Sequence, residues 1–131
     1  MRYLLDTNIC IAYLNGADDG VRDRLLSHSP AELCLCSIVK AELLFGARNS
    51  SKVAANLRRL ASFFEPLECL PVDDAAAEHY AVLRVQLQRE GSPIGANDML
   101  IAAVALANEC TLVTRNFREF DRVGGLSVEQ W

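Results

Sequence analysis

The chain has 131 residues, 51% of them hydrophobic, and a formal net charge of −4. This length suits one domain with a buried core and is too short for two. No apolar run approaches the roughly 20 residues needed to span a bilayer, and Asp6 interrupts the apolar stretch that an N-terminal signal peptide would need. We therefore expect one domain over residues 1–131, placed in the cytoplasm and not in a membrane.

The five cysteines and two histidines do not suggest a zinc or redox site. The cysteines are odd in number and scattered, and no Cys-x-x-Cys pair occurs, whereas zinc ligands cluster at short spacings. Most of these cysteines stand in apolar segments. We expect them to be small buried hydrophobic residues.

In the first half of the chain, short apolar runs alternate with periodic segments typical of helices. Residues 3–5 form the first predicted strand and residues 32–36 the second. We expect Ser37 to cap a helix that runs through Phe45, with Gly46 near its end. The other helices predicted in this half cover residues 9–14, 20–27 and 52–64.

The second half of the chain continues this alternation. A long helix capped by Asp73 or Asp74 is predicted, followed by an apolar helix at 99–107 that Asn97 or Asp98 begins. The third, fourth and fifth strands are predicted at residues 67–72, 111–114 and 126–128, the last of them at a sheet edge.

The alternation of strands and helices predicts an α/β fold. The strand segments are too apolar to face water on one side, which favours a three-layer sandwich in which helices flank a central, mainly parallel sheet of four to five strands. Ligands of such sheets bind beyond the carboxyl ends of the strands. Asp6 and Asn116 both follow predicted strands and should lie at that edge.

Three carboxylates stand where a merely solvating side chain is not expected. Asp6 ends an apolar strand, Glu42 lies within a mostly apolar helix and Asp98 opens an apolar helix. Each has an ordinary alternative, because Asp6 and Asp98 could cap helices and Glu42 could be an exposed helical residue.

Taken together, the three carboxylates fit a magnesium-type site, since hard divalent cations prefer oxygen ligands. No Gly-rich phosphate loop or Gly-x-Ser-x-Gly motif competes with this interpretation. Metal-activated water is then the hydrolytic chemistry that the chain can offer. The acidic net charge weakens a nucleic-acid-binding interpretation without excluding it, because a bound cation reverses the local sign.

Four segments resemble, in order and spacing, the motifs of PIN domains. The similarity is closest to the VapC toxins of bacterial toxin–antitoxin pairs and spans residues 3–131. The segments are LLDTN at 4–8, KAELLFG at 40–46, IGANDMLIAA at 94–103, and LVTRN at 112–116 followed by Phe117 and Phe120.

The resemblance implies roles for these motif residues. Asp6, Glu42 and Asp98 would bind Mg²⁺ or Mn²⁺, and metal-activated water would cut RNA. Asn116 stands where many PIN domains have a fourth acid, which leaves the number of metal ions open. The supporting residues would be Thr7, Asn8, Thr114 and Asn116.

Arginines near the same edge are candidate RNA contacts, because their forked guanidinium groups suit phosphate. They are Arg115, Arg118 and Arg122. A solvated, charged turn explains each of them equally well.

The resemblance further implies a toxin that inhibits translation, with tRNA as the expected substrate and the initiator tRNA anticodon stem-loop as the favoured target. Its expected partner is a small VapB-like antitoxin that fills the acidic groove with a basic side chain and supplies DNA binding. A homodimer is also expected. Leu57, Leu60 and Phe64 could form a partner surface or belong to the core.

Two alternatives remain at this point. A strand ending in Asp6 is also similar to the haloacid dehalogenase phosphatases, in which this Asp is a nucleophile, although Asn8 stands where their second acid is expected. The other alternative is a non-catalytic PIN-type module that binds a protein, with the carboxylates serving only as helix caps.

Overall fold

The computed structural model describes all residues from Met1 to Trp131. One sheet of five strands forms its centre, in the order β3-β2-β1-β4-β5, and every neighbouring pair is parallel. The strands are β1 (Tyr3–Leu5), β2 (Leu33–Cys36), β3 (Glu68–Leu70), β4 (Thr111–Val113) and β5 (Val128–Glu129). The predicted α/β class and the edge position of the last strand are confirmed.

Seven helices flank the sheet. None of them combines the length and the apolarity that crossing a membrane requires. They are α1 (Thr7–Leu14), α2 (Asp19–Leu26), α3 (Ser37–Arg48), α4 (Val53–Phe64), α5 (Asp74–Arg89), α6 (Ala96–Ala107) and α7 (Phe117–Phe120).

The sheet is buried on both faces, as parallel sheets with helical crossovers usually are. Leu4 and Leu5 of β1 are wholly inaccessible to solvent, and all residues of β2 and β4 are buried. In α6 the run from Ile101 to Ala105 is buried without interruption, and this helix packs against α3, α5 and β4. These residues belong to one core cluster of 30 buried side chains. The apolar strand runs of the sequence are explained by this two-sided burial.

The helix after β2 differs from the prediction at both ends. Cys36, and not Ser37, occupies the N-cap position, and it makes no side-chain capping hydrogen bond. The hydroxyl of Ser37 instead donates to the carbonyl oxygen of Leu70 at 3.5 Å. The helix also continues through Gly46 to Arg48, because burial of Leu43 and Ala47 on either side outweighs the roughly 1 kcal/mol that a glycine within a helix costs.

Two further differences lie near the fourth strand. Helix α6 begins at Ala96, after Gly95, so neither Asn97 nor Asp98 is its capping residue. Helix α7 was not predicted, because one turn of four residues is too short to show a helical period. The long helix α5 begins as predicted, with the side chain of Asp73 accepting a hydrogen bond from Ala76 N at 3.0 Å.

The cysteines are buried hydrophobic residues, as expected. All five are free thiols, and all except Cys69 are buried. Burial raises the pKa of the Cys36 thiol to about 11. The Sγ atoms of Cys34 and Cys110 lie 3.8 Å apart beside the central strand.

Truncating Phe120 should destabilise the fold. Its side chain is fully buried, so Phe120→Ala removes buried apolar surface and leaves a cavity, at a cost of about 3–5 kcal/mol in the free energy of unfolding. Phe45→Ala is the matched control, since 69% of Phe45 is exposed. Denaturant unfolding of both variants tests this, and equal losses of stability would contradict it.

Candidate active site

The carboxylates of interest gather at one edge of the sheet. Strands β1, β2 and β4 are adjacent and parallel, so their carboxyl ends point the same way. Asp6 follows β1 directly, Thr114 follows β4, and α3, which carries Glu42, begins where β2 ends. This is the edge at which α/β sheets bind ligands.

Asp6 is a buried carboxylate held by two hydrogen bonds. It is only 4% exposed. Its Oδ2 accepts from the hydroxyl of Thr114 at 2.7 Å, and its Oδ1 accepts from the backbone N–H of Thr7 at 2.9 Å. Asp6 occupies the N-cap position of α1, so the capping alternative is correct in part. However, an N-cap side chain usually bonds the second or third N–H of its helix, whereas Asp6 bonds the first.

Glu42 is joined to this cluster through Thr7. The Thr7 hydroxyl donates to Glu42 Oε1 at 2.6 Å, which bridges the start of α1 to the middle of α3. Glu42 is half-buried, so the alternative of an ordinary exposed helical residue does not describe it. Thr7 therefore contacts two of the predicted metal ligands, one through its backbone N–H and one through its hydroxyl.

Asp98 faces a fourth carboxylate, Glu119. Glu119 lies close enough to raise the pKa of the Asp98 carboxyl. Glu119 also accepts a hydrogen bond from Gly95 N at 3.2 Å, and the side-chain amide of Asn116 donates to its other oxygen. Glu119 thus joins the loop before α6 to the residues after β4.

Glu119 was not predicted from the sequence, in which position 116 was the candidate for a fourth oxygen ligand. Asn116 is exposed, donates its backbone N–H to the Thr114 hydroxyl at 2.9 Å and bonds Glu119 through its side chain. Asn116 therefore orients the carboxylate of Glu119 and does not itself take the place of a fourth acid. The available signal was an acidic residue three positions after Asn116, but it lay in the one-turn helix that periodicity could not reveal.

The pKa values of two of these carboxyls, Asp6 and Asp98, are raised above their ordinary values. Burial is the main reason that the pKa of Asp6 is raised, and the charges of Glu42 and Glu119 add to it, against the hydrogen bonds from Thr114 and Thr7. The pKa of Asp98 rises to about 7, first through burial, then through its close contact with Glu119 and the charges of Glu119, Asp6 and Glu42. Unfavourable charge is therefore concentrated at this edge.

The donor set fits a hard divalent cation. All four side chains offer carboxylate oxygens, and none of them takes part in an ion pair with Lys, Arg or His. No three His, Cys, Asp or Glu side chains form a complete metal cage, but Mg²⁺ usually takes only one or two carboxylates together with waters and substrate phosphate. A divalent cation would relieve the repulsion that the protein leaves uncompensated.

The predicted RNA-contacting residues lie around this edge in different environments. Arg115 forms an ion pair with Asp18, so its guanidinium is already engaged. Arg118 and Arg122 are exposed and form no ion pair. Asn8 is exposed and lines a cleft together with Asp18 and Arg115. Their contacts with RNA stay predictions.

An acidic cluster at the carboxyl ends of a parallel sheet, with oxygen donors only, is typical of a metal-dependent hydrolase. The PIN domain family model matches residues 3–126. The chain therefore belongs to the PIN domain family, and the haloacid dehalogenase alternative is wrong. PIN nucleases as a family depend on divalent metal ions.

Individual relatives match over the whole chain. The tRNA(fMet)-specific endonuclease VapC of Shigella flexneri is 37% identical, over all of this chain and 98% of its own length. Ribonuclease VapC2 of Rickettsia felis is 39% identical, with the same coverage. Among solved structures, DNA-bound VapBC from Salmonella typhimurium superposes with a TM-score of 0.94 at 35% identity, over all of this chain and 98% of that one.

Removing the Thr114 hydroxyl should destabilise the protein. Thr114→Val leaves Asp6 Oδ2 without its donor and Asn116 N without its acceptor, which costs about 1–3 kcal/mol in the free energy of unfolding. Thr111→Val is the control, because Thr111 lies at the start of β4 and contributes to neither of these two hydrogen bonds. Urea unfolding compares the two, and a Thr114→Val variant as stable as the wild type would contradict the role of this contact.

Asp98→Asn should raise the thermal stability in EDTA, and more so at high pH. The pKa of Asp98 in the folded protein is about 7 instead of 3.8, so the folded state holds a proton that the unfolded state has lost. Stability from this group is therefore greatest at low pH and falls between about pH 4 and 7. The difference in Tm between the variant and the wild type should widen from pH 5 to pH 8.

Glu78→Gln is the control for this measurement, because it makes the same change of charge on the exposed face of α5. Its Tm difference from the wild type should stay nearly constant over that range. An Asp98→Asn difference that does not change with pH would refute the assigned charge repulsion.

Proposed function

We propose that this protein is a Mg²⁺- or Mn²⁺-dependent endoribonuclease and the toxin of a toxin–antitoxin pair. The observation that carries the proposal is the uncompensated cluster of Asp6, Glu42, Asp98 and Glu119 at the ligand-binding edge of the sheet. The names of the full-length relatives support the ribonuclease activity. Residues 1–131 act as one PIN domain in the cytoplasm, and RNA cleavage inhibits translation.

The cation supplies an activated water and charge stabilisation at the scissile phosphate. Asp6, Glu42 and Asp98 would hold it, with Glu119 as a fourth acid. Thr114 and Thr7 fix the Asp6 carboxylate from opposite oxygens, so that this ligand is oriented before anything binds. Because Asp98 shares its site with Glu119 and holds a proton up to about pH 7, cation affinity should rise as the pH rises through that value.

The proposed substrate is tRNA, with the anticodon stem-loop of initiator tRNA favoured. The relative from Shigella flexneri carries this specificity in its name. On this chain, Arg118 and Arg122 are exposed cations without acidic partners at the same edge and can contact phosphate. Arg115 could do so only after leaving Asp18.

The proposed partner is a small VapB-like antitoxin that also supplies the contact with DNA. A solved relative is a DNA-bound VapBC complex, and we propose the same arrangement here, together with a homodimer of the toxin. A groove of about 290 Å³ between α1, α3 and α4 has a lining that is half apolar, includes Arg59 and reaches Glu42. An apolar segment ending in a basic side chain would fit it. Leu60 is a buried core residue at this groove, whereas Leu57 and Phe64 are partly buried against the core.

Asp6→Asn should abolish metal-dependent cleavage. Purified wild-type protein with Mg²⁺ or Mn²⁺ is expected to cut tRNA, and EDTA should stop it. The substitution removes a ligand charge but keeps the shape, so activity should fall by at least about 100-fold. Glu78→Gln, on the exposed face of α5, is the control and should cut like the wild type.

Cleaved 5′ ends, mapped in the purified reaction and in cells after induction, identify the RNA and the site of cleavage. Unchanged cleavage by Asp6→Asn would contradict the catalytic assignment. Stable wild-type protein that cuts no RNA would favour the alternative of a non-catalytic binding module.

A further inference from the structure

The aromatic ring of Phe45 faces solvent beside the acidic cluster. Phe45 is 69% exposed, three residues after Glu42 on α3. It is not among the hydrophobic side chains packed against the core. It also makes no aromatic contact and lies under no cation, in contrast to Phe63 and Phe64 of the next helix. Burial therefore does not account for an aromatic residue at this position.

Phe45 forms one wall of a cleft that shares Glu42 with the carboxylate site. The cleft has a volume of about 410 Å³ and is lined by Ala41, Glu42, Phe45 and Asn97. Ala41, one helical turn before Phe45, leaves open space beside the ring. Asn97 comes from α6, is exposed, and its side-chain amide makes no hydrogen bond within the protein.

Each of the two helices that line the cleft carries one acid of the site and, close to it in sequence, one side chain that can bind a nucleobase. On α3, Glu42 is followed one turn later by Phe45, and on α6, Asn97 immediately precedes Asp98. Every nucleobase presents a flat π face that stacks on aromatic rings. A side-chain amide carries both a donor and an acceptor, which match the edge of an unstacked base.

We propose that this cleft is a nucleobase subsite, in which an unpaired base next to the scissile phosphate stacks on Phe45 and bonds Asn97 through its edge. The proposal rests on the proposed ribonuclease function. A phosphate held at the carboxylates places its neighbouring nucleotide beside Glu42, which is where the cleft opens. A protein surface would need a broader apolar lining, whereas this cleft offers one aromatic ring among small and polar side chains.

The subsite would help the acidic site to bind RNA, whose backbone the carboxylates repel. Stacking and hydrogen bonding to a base do not depend on net charge, so they can hold RNA where the carboxylates repel its backbone. Among the arginines considered above, Arg115 is already paired with Asp18, which leaves Arg118 and Arg122 to offset that repulsion. The subsite would also restrict cleavage to places where a base is free to leave its stack, such as loops.

Cleavage by Phe45 variants of a hairpin RNA with a mapped cleavage position tests the proposal. Phe45→Ala should lower kcat/KM by about 5- to 150-fold, the range that corresponds to loss of one base–aromatic stack. Phe45→Trp should keep most of the wild-type value, whereas Phe45→Leu, apolar but unable to stack, should behave like Phe45→Ala. Val82→Ala, at another exposed apolar residue, is the control and should have no effect.

Hairpins with a single abasic nucleotide at successive positions identify the base. At one position beside the scissile bond, removing the base should slow the wild type to the rate of Phe45→Ala. The same removal should change Phe45→Ala by less than about 2-fold, because the stack is already lost. Equal slowing of both proteins at every position would overturn the proposal.

The outcomes also separate the subsite from the proposed function. If the wild type cuts the hairpin and Phe45→Ala cuts it equally well, the subsite is refuted and the ribonuclease remains. If the wild type cuts no RNA, both fail together. If Phe45→Ala cuts at the wild-type rate but is no longer inhibited by a co-purified antitoxin, Phe45 is a protein contact and the proposal is wrong.

Discussion

The candidate site depends on holding acidic side chains that repel one another close together, at the carboxyl ends of the central strands of the sheet. Asp6 is nearly buried, and burial together with the charges of Glu42 and Glu119 works against its ionised form. Hydrogen bonds from Thr114 and Thr7 oppose that cost but do not neutralise the charge. The fold holds these carboxylates in place, and a bound divalent cation would neutralise their negative charge.

The strand order is what brings these groups together. Thr114 is 108 residues from Asp6 in the chain, yet their strands are neighbours, and their side chains bond at 2.7 Å. Helix α3 starts from the strand on the other side of β1 and brings Glu42 to Thr7. A single buried core, with α6 deep inside it, makes this edge rigid. Rigid support is what keeps metal ligands oriented.

RNA is a polyanion, and this chain has a formal net charge of −4. An acidic site that acts on RNA must therefore offset the repulsion between the two. The proposed function offers three means of doing so: a divalent cation among the carboxylates, the exposed arginines on and after α7, and side chains that would hold bases without using charge. The last of these would make recognition depend on unpaired bases, which fits a nuclease that selects loops. Metal and substrate binding would then be linked, because the cation offsets the repulsion between the carboxylates and RNA, and the phosphate supplies further oxygen ligands to the cation.

The strands, most helices and three of the four acids could be predicted from sequence, because apolar periodicity and local motifs report on short-range structure. Asp6, Glu42 and Asp98 were singled out together, as a carboxylate set and through the PIN-like motifs, and their role as metal ligands stays a prediction. Glu119 was not, because its one-turn helix has no period and its partners, Gly95 and Asp98, lie more than 20 positions earlier. By itself, the sequence determined the α/β class and the residue types at the strand ends. Only the tertiary structure decided which side chains meet, since the strand order and the burial that raises the pKa of Asp98 arise from contacts between distant segments.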